Sequence, residues 1–541
     1  MLAMRMSSWF VRAVAAGALL PLLLAQSPPA GQPGDKPAGQ QPAGGTAAPK
    51  SELPPIGDPA AVPDGAPPHL ALVARNRLRE HAYWLADDAR QGRFTSSAAQ
   101  QATAKYVADH FQKLGLKPLG DKKGFLQSYP IEQLALDPST ALSFGDVKIT
   151  DVGVLPAGDA KVTLAGRFAW CGKGRGDEIP GALKGRIPVV VLDKLPRGNG
   201  PGGDLQAIQR YFDLARQLAK NEATAGVVAL VGDPGPLANT LNYRGVLPDH
   251  PQVAVTGSPS PTAASIPLLV IAGEHSKALL AHLGAVIDAQ GAVTPPPDDA
   301  KAAGKLTIAL KRNPKGSATN VVAVLEGTNR KAEAVVFSAH HDHIGRRIDG
   351  DTFNGADDNA SGTAGLLTIA EAFAKGGERP DRSIVFLSVS GEELGLWGSR
   401  WFSEHPTWPL DKIVADVNID MIGRAEQDGE LTKIQITPSR EHAKYSTIGR
   451  TAARLAPRLK ITFTSGDQYY ERSDHYNFAQ KGVPVVFLCD GEHPDYHQVT
   501  DSADKLDYER MEAVARLAFW TGWEVAESKE RPKELGTQPD W

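Results

Sequence analysis

From residue 306 onward, short apolar runs alternate with helical stretches, and this alternation limits the fold more than any other feature of the sequence. The runs 306–310, 320–325, 334–338, 383–389, 414–419 and 483–488 predict strands, and helices are predicted over 359–375, 439–455 and 508–526. Strands interleaved with helices build a mostly parallel sheet, because each parallel step needs a crossover and a helix supplies it. The expected fold class is therefore α/β, three layers, with helices on both faces of the sheet. In such a sheet, ligand sites form beyond the carboxyl ends of the strands.

Two helices precede this region. Leu70, Val73, Leu78 and Leu85 outline the first, and the second runs over 97–114, with Ser96 or Ser97 as a cap, an apolar side of Tyr106, Val107, Phe111 and Leu114, and Gly115 as its stop. Residues 69–136 and 305–530 are read together as one domain. Between them, 137–304 carries its own apolar runs (187–192, 226–231, 266–271), Gly/Pro turns and a helical stretch over 205–220, which predicts a small β-rich inserted domain.

The N-terminus has a different character. Arg5 and Arg12 precede an apolar run, 13–25, that ends in small residues, the pattern of a secretory signal over 1–25 and hence a secreted or periplasmic protein. The run is too short, with Pro21 inside it, to span a bilayer well, and no cysteine follows it, so no stable membrane anchor is expected. Residues 26–68, rich in Pro, Gly and Ala, read as a disordered linker, and 531–541 as a polar tail. With 58 Lys and Arg against 62 Asp and Glu, the net charge of −4 argues against binding nucleic acid by bulk charge. The two cysteines, Cys171 and Cys489, exclude a disulfide framework.

The strand ends carry the chemistry. His340-His341-Asp342-His343 follows 334–338, Glu392-Glu393 follows 383–390, Asp420 follows 414–419, and Tyr496-His497 lies in the loop after 483–489. A further group, Asp357-Asp358-Asn359, stands before the 359–375 helix. Asp342, Asp357, Asp358, Glu392, Glu393 and Asp420 would repel one another at one sheet edge, and no lysine or arginine falls within these motifs. Divalent cations would relieve the repulsion. His with Asp/Glu suits zinc, with manganese or cobalt as substitutes, and two zinc ions, three ligand carboxylates and one hydroxide sum to zero charge. On an extended segment His340 and Asp342 share a face, so Asp342 can hold the second ring nitrogen of His340. His341 should point away, and His343 and His493 read as ordinary histidines. Of the adjacent glutamates, one should bind metal, leaving the other as general base for a nearby water.

The order Ser-Ala-His340-His-Asp342, Gly-Ala-Asp-Asp358-Asn-Ala-Ser-Gly, Gly-Glu392-Glu393-Leu-Gly-Leu-Trp-Gly-Ser, Asn-Ile-Asp420-Met-Ile-Gly, Ser-Asp474-His475 and Tyr496-His497 resembles the secreted di-zinc aminopeptidase family of metallo-exopeptidases, over about 320–510. The resemblance implies that His340, Asp358 and Asp420 hold one zinc, that Asp358, Glu393 and His497 hold the other, and that Asp358 bridges them. It further implies Glu392 as general base, Asp342 as the residue orienting His340, Tyr496 as a donor to the substrate oxyanion, and a cis peptide at Asp358–Asn359. The insertion resembles a protease-associated domain. The substrate would be the N-terminus of a peptide or protein, with Tyr469, Tyr470 and Arg472 as candidate lining of the side-chain pocket. The alternatives are a glutamate-carboxypeptidase-like exopeptidase or dipeptidase, a glutaminyl cyclase, which would use one zinc, and a non-catalytic binding protein like transferrin receptor. The short stretch after His497, one helix and a tail, and the full ligand set disfavour these.

Overall fold

The computed structural model describes residues 56–538, apart from 159–160, 194–201, 234, 257–262, 289–290, 298–301, 426–429 and 431. The predicted signal 1–25 and most of the linker lie outside the described residues. The remaining linker residues differ from expectation, because they are pinned rather than free. Ala60 N donates to Glu512 Oε1 at 2.7 Å and Arg516 Nη1 donates back to Ala60 O at 2.8 Å, while Ile56 and Ala66 pack on the main core. The apolar residues within 56–68 find a partner surface that composition alone does not reveal.

The ten-stranded main sheet runs in the order Thr462–Ser465, Lys433–Thr437, Val485–Cys489, Ile413–Ile419, Arg330–His340, Arg382–Val389, Leu310–Leu325, Leu126–Leu136 and Gln252–Val255, with Lys117–Pro118 paired to Leu310–Leu325. Its centre is the expected parallel set: Arg330–His340 lies parallel to both Arg382–Val389 and Ile413–Ile419, and the latter to Val485–Cys489. The wings are mostly antiparallel. These four parallel strands are buried almost throughout, as a sheet covered on both faces requires. One face packs under helices Arg75–Leu85, Ala98–Lys113, Gly362–Lys375 and Tyr508–Glu527, and the other under Trp397–Glu404 and His475–Gln480, through Phe402 and Phe478. Leu70, Val73, Leu78 and Leu85 are fully buried in the first layer, and Ser97 caps the second helix by accepting from Gln100 N at 3.1 Å.

Residues 439–455 are helical only over Thr447–Leu455. Asp467 captures the missing turns: it accepts from Ser439 N at 2.7 Å, Ser439 Oγ at 2.6 Å and Thr437 Oγ1 at 2.8 Å, so side-chain bonds hold the segment in place of a helix ladder.

The insertion is α/β rather than merely β-rich. Its eight-stranded sheet has a parallel centre, Val162–Trp170, Ile187–Leu192, Gly226–Leu230 and Leu268–Ile271, with helices Gly202–Lys220 and Pro236–Arg244 against one core and Gly273–Leu283 against a second. The strand expected at 306–310 is instead Ala303–Ile308, paired with Ala141–Phe144 and Val162–Trp170, so the insertion continues past residue 304. It is also stitched to the main sheet, where Gln252–Val255 is the edge strand next to Leu126–Leu136. All the described residues fall within one compact unit. Among them no helix is long and apolar enough to cross a membrane.

Candidate metal and catalytic site

The parallel strands end level with one another, His340 opposite Val389, Ser338 opposite Asn418 and Ile419 opposite Leu488. The residues just beyond those ends therefore meet. His340 Nε2 lies 3.2 Å from Asp420 Oδ1, 3.3 Å from Asp358 Oδ1 and 3.9 Å from Glu392 Oε2. On the other side, His497 Nε2 lies 3.0 Å from Asp358 Oδ2 and 3.1 Å from Glu393 Oε2. The two oxygens of Asp358 thus face two different histidines. Its carboxylate is aimed by the turn that starts the Gly362–Lys375 helix, where the Asp358–Asn359 peptide is cis and Asn359 Oδ1 accepts from Gly362 N at 2.8 Å.

Not every predicted residue stands as expected. Asp342 is behind His340, but its carbonyl oxygen, at 3.2 Å, is nearer to Nδ1 than its carboxylate, at 3.7 Å. The carboxylate accepts from Thr95 Oγ1 at 2.7 Å and Glu392 N at 3.3 Å, so it ties the first glutamate to the helical layer. Asp357 turns away from the acid cluster, accepting from Gly423 N at 2.7 Å, with His493 Nε2 at 3.3 Å from its other oxygen. His341 points away as expected, towards Ser388 and Gln100. Tyr469, Arg472 and Tyr496 wall a cavity together with Asp358, Glu392 and Asp420. Tyr470 does not; its ring lies 4.1 Å from that of His442.

Four residues escape sequence reading. His343, taken for an ordinary histidine, is buried with Nδ1 2.6 Å from Glu393 Oε1. Its ring enters because Gly355 has no side chain; a Cβ there would lie 2.4 Å from His343 Cδ2. Its place in the His340–Asp342 motif was the only available signal. Arg93 is fully buried behind the cluster, donating to the carbonyls of Leu85, His341, Asn354 and Gly355. Burial lowers its pKa to about 10, against the pull of Asp358 and Asp342. Ser473 donates to Asp420 Oδ2 at 2.8 Å, and Tyr243, from the insertion, meets His497 Nδ1 at 3.1 Å.

The carboxylates that face the two histidines favour a charged ring. Burial opposes it, but Asp420 and Glu392 hold the pKa of His340 well above its usual range, and Glu393 and Asp358 do the same for His497. Asp358 is held well below the carboxylate range against burial by His340 and His497, and Glu393 is lowered to about 2, against burial and Asp358, by His497 and His343. Glu392 is pushed well above the range by burial and by Asp420 and Glu393. The donor set fits zinc. Ligands about 2.1 Å from a tetrahedral ion stand about 3.4 Å apart, close to the separations on both sides of Asp358, and the buried Nε2 of His497, which faces Asp358 and Glu393, has no hydrogen-bond partner.

Comparison with known proteins fits this arrangement. Residues 320–521 match peptidase family M28. The aminopeptidase YwaD of Bacillus subtilis (strain 168) is 25% identical over 241 residues, 43% of this chain and 50% of its own length. A probable leucine aminopeptidase of Trichophyton verrucosum is 27% identical over 216 residues (38% and 57%), and a probable zinc metalloprotease of Pyrenophora tritici-repentis is 24% identical over 265 (40% and 53%). The chain thus spans about half the length of these relatives. In fold, it is similar to the zinc aminopeptidase BSAP from Bacillus subtilis, with a TM-score of 0.51 at 18% identity over 84% of this chain and 96% of that one.

Proposed function

We propose that the chain is a secreted aminopeptidase that uses two zinc ions to hydrolyse the N-terminal peptide bond of peptides or proteins. The observation that carries this reading is the split of Asp358, with one oxygen 3.3 Å from His340 Nε2 and the other 3.0 Å from His497 Nε2. His340 and Asp420 complete one ligand set around it, and Glu393 and His497 the other. Bound zinc would supply Lewis acidity towards the scissile carbonyl and an acidified water.

The protein's own groups do the rest. Glu392 faces the ligand sets from 3.9 Å without joining either, the position of a general base that takes a proton from water and returns it to the leaving amine. Asp342 accepts from its backbone N–H, and Thr95 Oγ1 accepts from that of Gly391 before it. Tyr496 is stacked on His497, ring centroids 3.9 Å apart, and faces the cavity, so its hydroxyl can donate to the oxyanion. Glu392 and Asp420 offer the substrate's α-ammonium an acidic edge. Tyr469, with the Arg472–Glu492 pair at 2.7 Å, walls the side-chain pocket, whose apolar surface comes from Met421 and Phe487. The insertion reads as a protease-associated domain from its pattern and its place in the chain, between the first two helices and the strands that carry the site, and the basic and apolar N-terminus reads as a secretion signal.

The test is to count zinc in the purified chain and to compare peptides with free and acetylated N-termini. Two ions per chain and turnover of the free termini alone are expected. Equal cleavage of acetylated peptides would overturn the aminopeptidase reading, and full activity after chelation would overturn zinc catalysis.

A further inference from the structure

We propose that Tyr243, a residue of the inserted domain, is a positioning residue for His497, so that the insertion completes the second ion site; this rests on the two-zinc reading above. The hydroxyl lies 3.1 Å from His497 Nδ1, while Nε2 of the same ring faces Asp358 and Glu393 at 3.0 and 3.1 Å. The two ring nitrogens are therefore committed in opposite directions. An imidazole can give Nε2 to a metal only when that atom is bare, which leaves the proton on Nδ1. Nδ1–H then donates to Tyr243 Oη, and that bond fixes both the tautomer and the ring plane.

His497 needs such support more than His340 does. His340 ends a central strand and is fully buried. His497 sits in a loop, has left-handed backbone (φ 55°), and its side chain is 25% exposed. Tyr243, by contrast, is on a fixed element. Its helix, Pro236–Arg244, is pinned by the neighbouring Asn242, whose Nδ2 donates to Ile344 O at 2.6 Å and to Arg346 O at 3.0 Å, just beyond His343. The same segment of chain sends Ile348 into the insertion's own core, and Gln252–Val255 joins the main sheet. The insertion is thus clamped to the strand end that carries His340, and it presents Tyr243 to the loop that carries His497.

Tyr243→Phe removes the hydroxyl and little else. Zinc and cobalt titrations of the metal-free full chain, with wild type alongside, read the effect without reference to turnover. The variant should bind the ion that His497 holds about 10- to 100-fold less tightly, leave the other unchanged, and alter the cobalt absorption of one site only. With saturating zinc, kcat should fall while KM for an aminoacyl anilide stays near wild type. Asn242→Ala, which keeps the hydroxyl but loosens its helix, should weaken the same ion less, and this serves if the first variant folds poorly. Superimposable titrations for wild type and both variants, with two ions each, would overturn the role of Tyr243 alone. A wild type that binds fewer than two ions would overturn the two-zinc reading, and this proposal with it.

Discussion

The His340–Asp358–Asp420 group and the His81–His110–Glu371 group are alike in chemistry: each brings three potential ligand atoms within 4.8 Å of one another. They differ in what surrounds the carboxylates. Glu371 accepts from Arg77 through both oxygens and from Lys375 Nζ at 3.1 Å, so two fixed cations already balance it. Around Asp358, Glu392, Glu393 and Asp420 the ion-pair partners are histidines, which are neutral unless protonated. Arg93, the buried guanidinium behind them, spends its donors on backbone carbonyls. Residue type therefore does not separate an ion site from a salt-bridge network; the local charge balance does.

The strongest way to break this comparison is to cut each group in turn. Asp358→Ala should lose both ions and on the order of a thousandfold or more in turnover, since several kcal/mol of transition-state stabilisation go with the ions. Glu371→Gln should leave the zinc count unchanged. Elemental analysis after gel filtration decides, and a third ion in wild type that disappears in Glu371→Gln would end the distinction. Next in size, Glu392→Gln should keep both ions and lower kcat by about 10²–10⁴-fold; a lost ion would make Glu392 a ligand instead. Smaller still, His343→Ala should weaken the ion beside Glu393 by about 10–100-fold and spare the one beside Asp420. Equal weakening of both in a zinc titration would contradict the one-sided contact between His343 and Glu393.

How far such a site can be read from sequence follows from how it is built. His340, Glu392, Glu393 and Asp420 were legible because each stands directly after an apolar strand, and strands of a parallel sheet end at one edge. The same local logic reaches the central strands and the helices of the first layer, whereas the short second-layer helices Trp397–Glu404 and His475–Gln480 were not predicted. Tyr243 and Arg93 were not legible, because they reach the site from residues 254 and 248 positions away and no local pattern marks them. His343 is in plain view yet reads as ordinary, since nothing in the sequence tells that Gly355, at φ 54°, makes room for its ring. The 439–455 helix was overestimated for a related reason: the competitor, Asp467, comes later in the chain than the segment it captures.

The smallest expected effect concerns the balanced group and its response to acid. Burial lowers the pKa of His81 from 6.5 to about 4, although the Glu371 hydrogen bond works against this. It is thus neutral in the folded protein near pH 7, with the Tyr106 hydroxyl 2.7 Å from Nδ1 and Glu371 Oε1 3.4 Å from Nε2. An unfolded chain binds a proton at His81 below about pH 6.5, and the folded chain does so only near pH 4. Between those values the unfolded state holds more protons, so stability falls as the pH falls, by up to about 3 kcal/mol from this residue. Glu371 adds to the loss at lower pH: burial opposes its charge, but His110, His81 and Arg77 hold its pKa far below 4.5, so its contribution is present above the unfolded value and fades beneath it. His81→Gln keeps a hydrogen-bonding side chain without a titrating ring. Urea unfolding of both metal-free proteins from pH 7 to 4 should show wild type losing more stability than the variant, most of it between 6.5 and 4. Parallel curves would mean that His81 takes up its proton alike in the folded and unfolded chain, and that burial does not disfavour its charge.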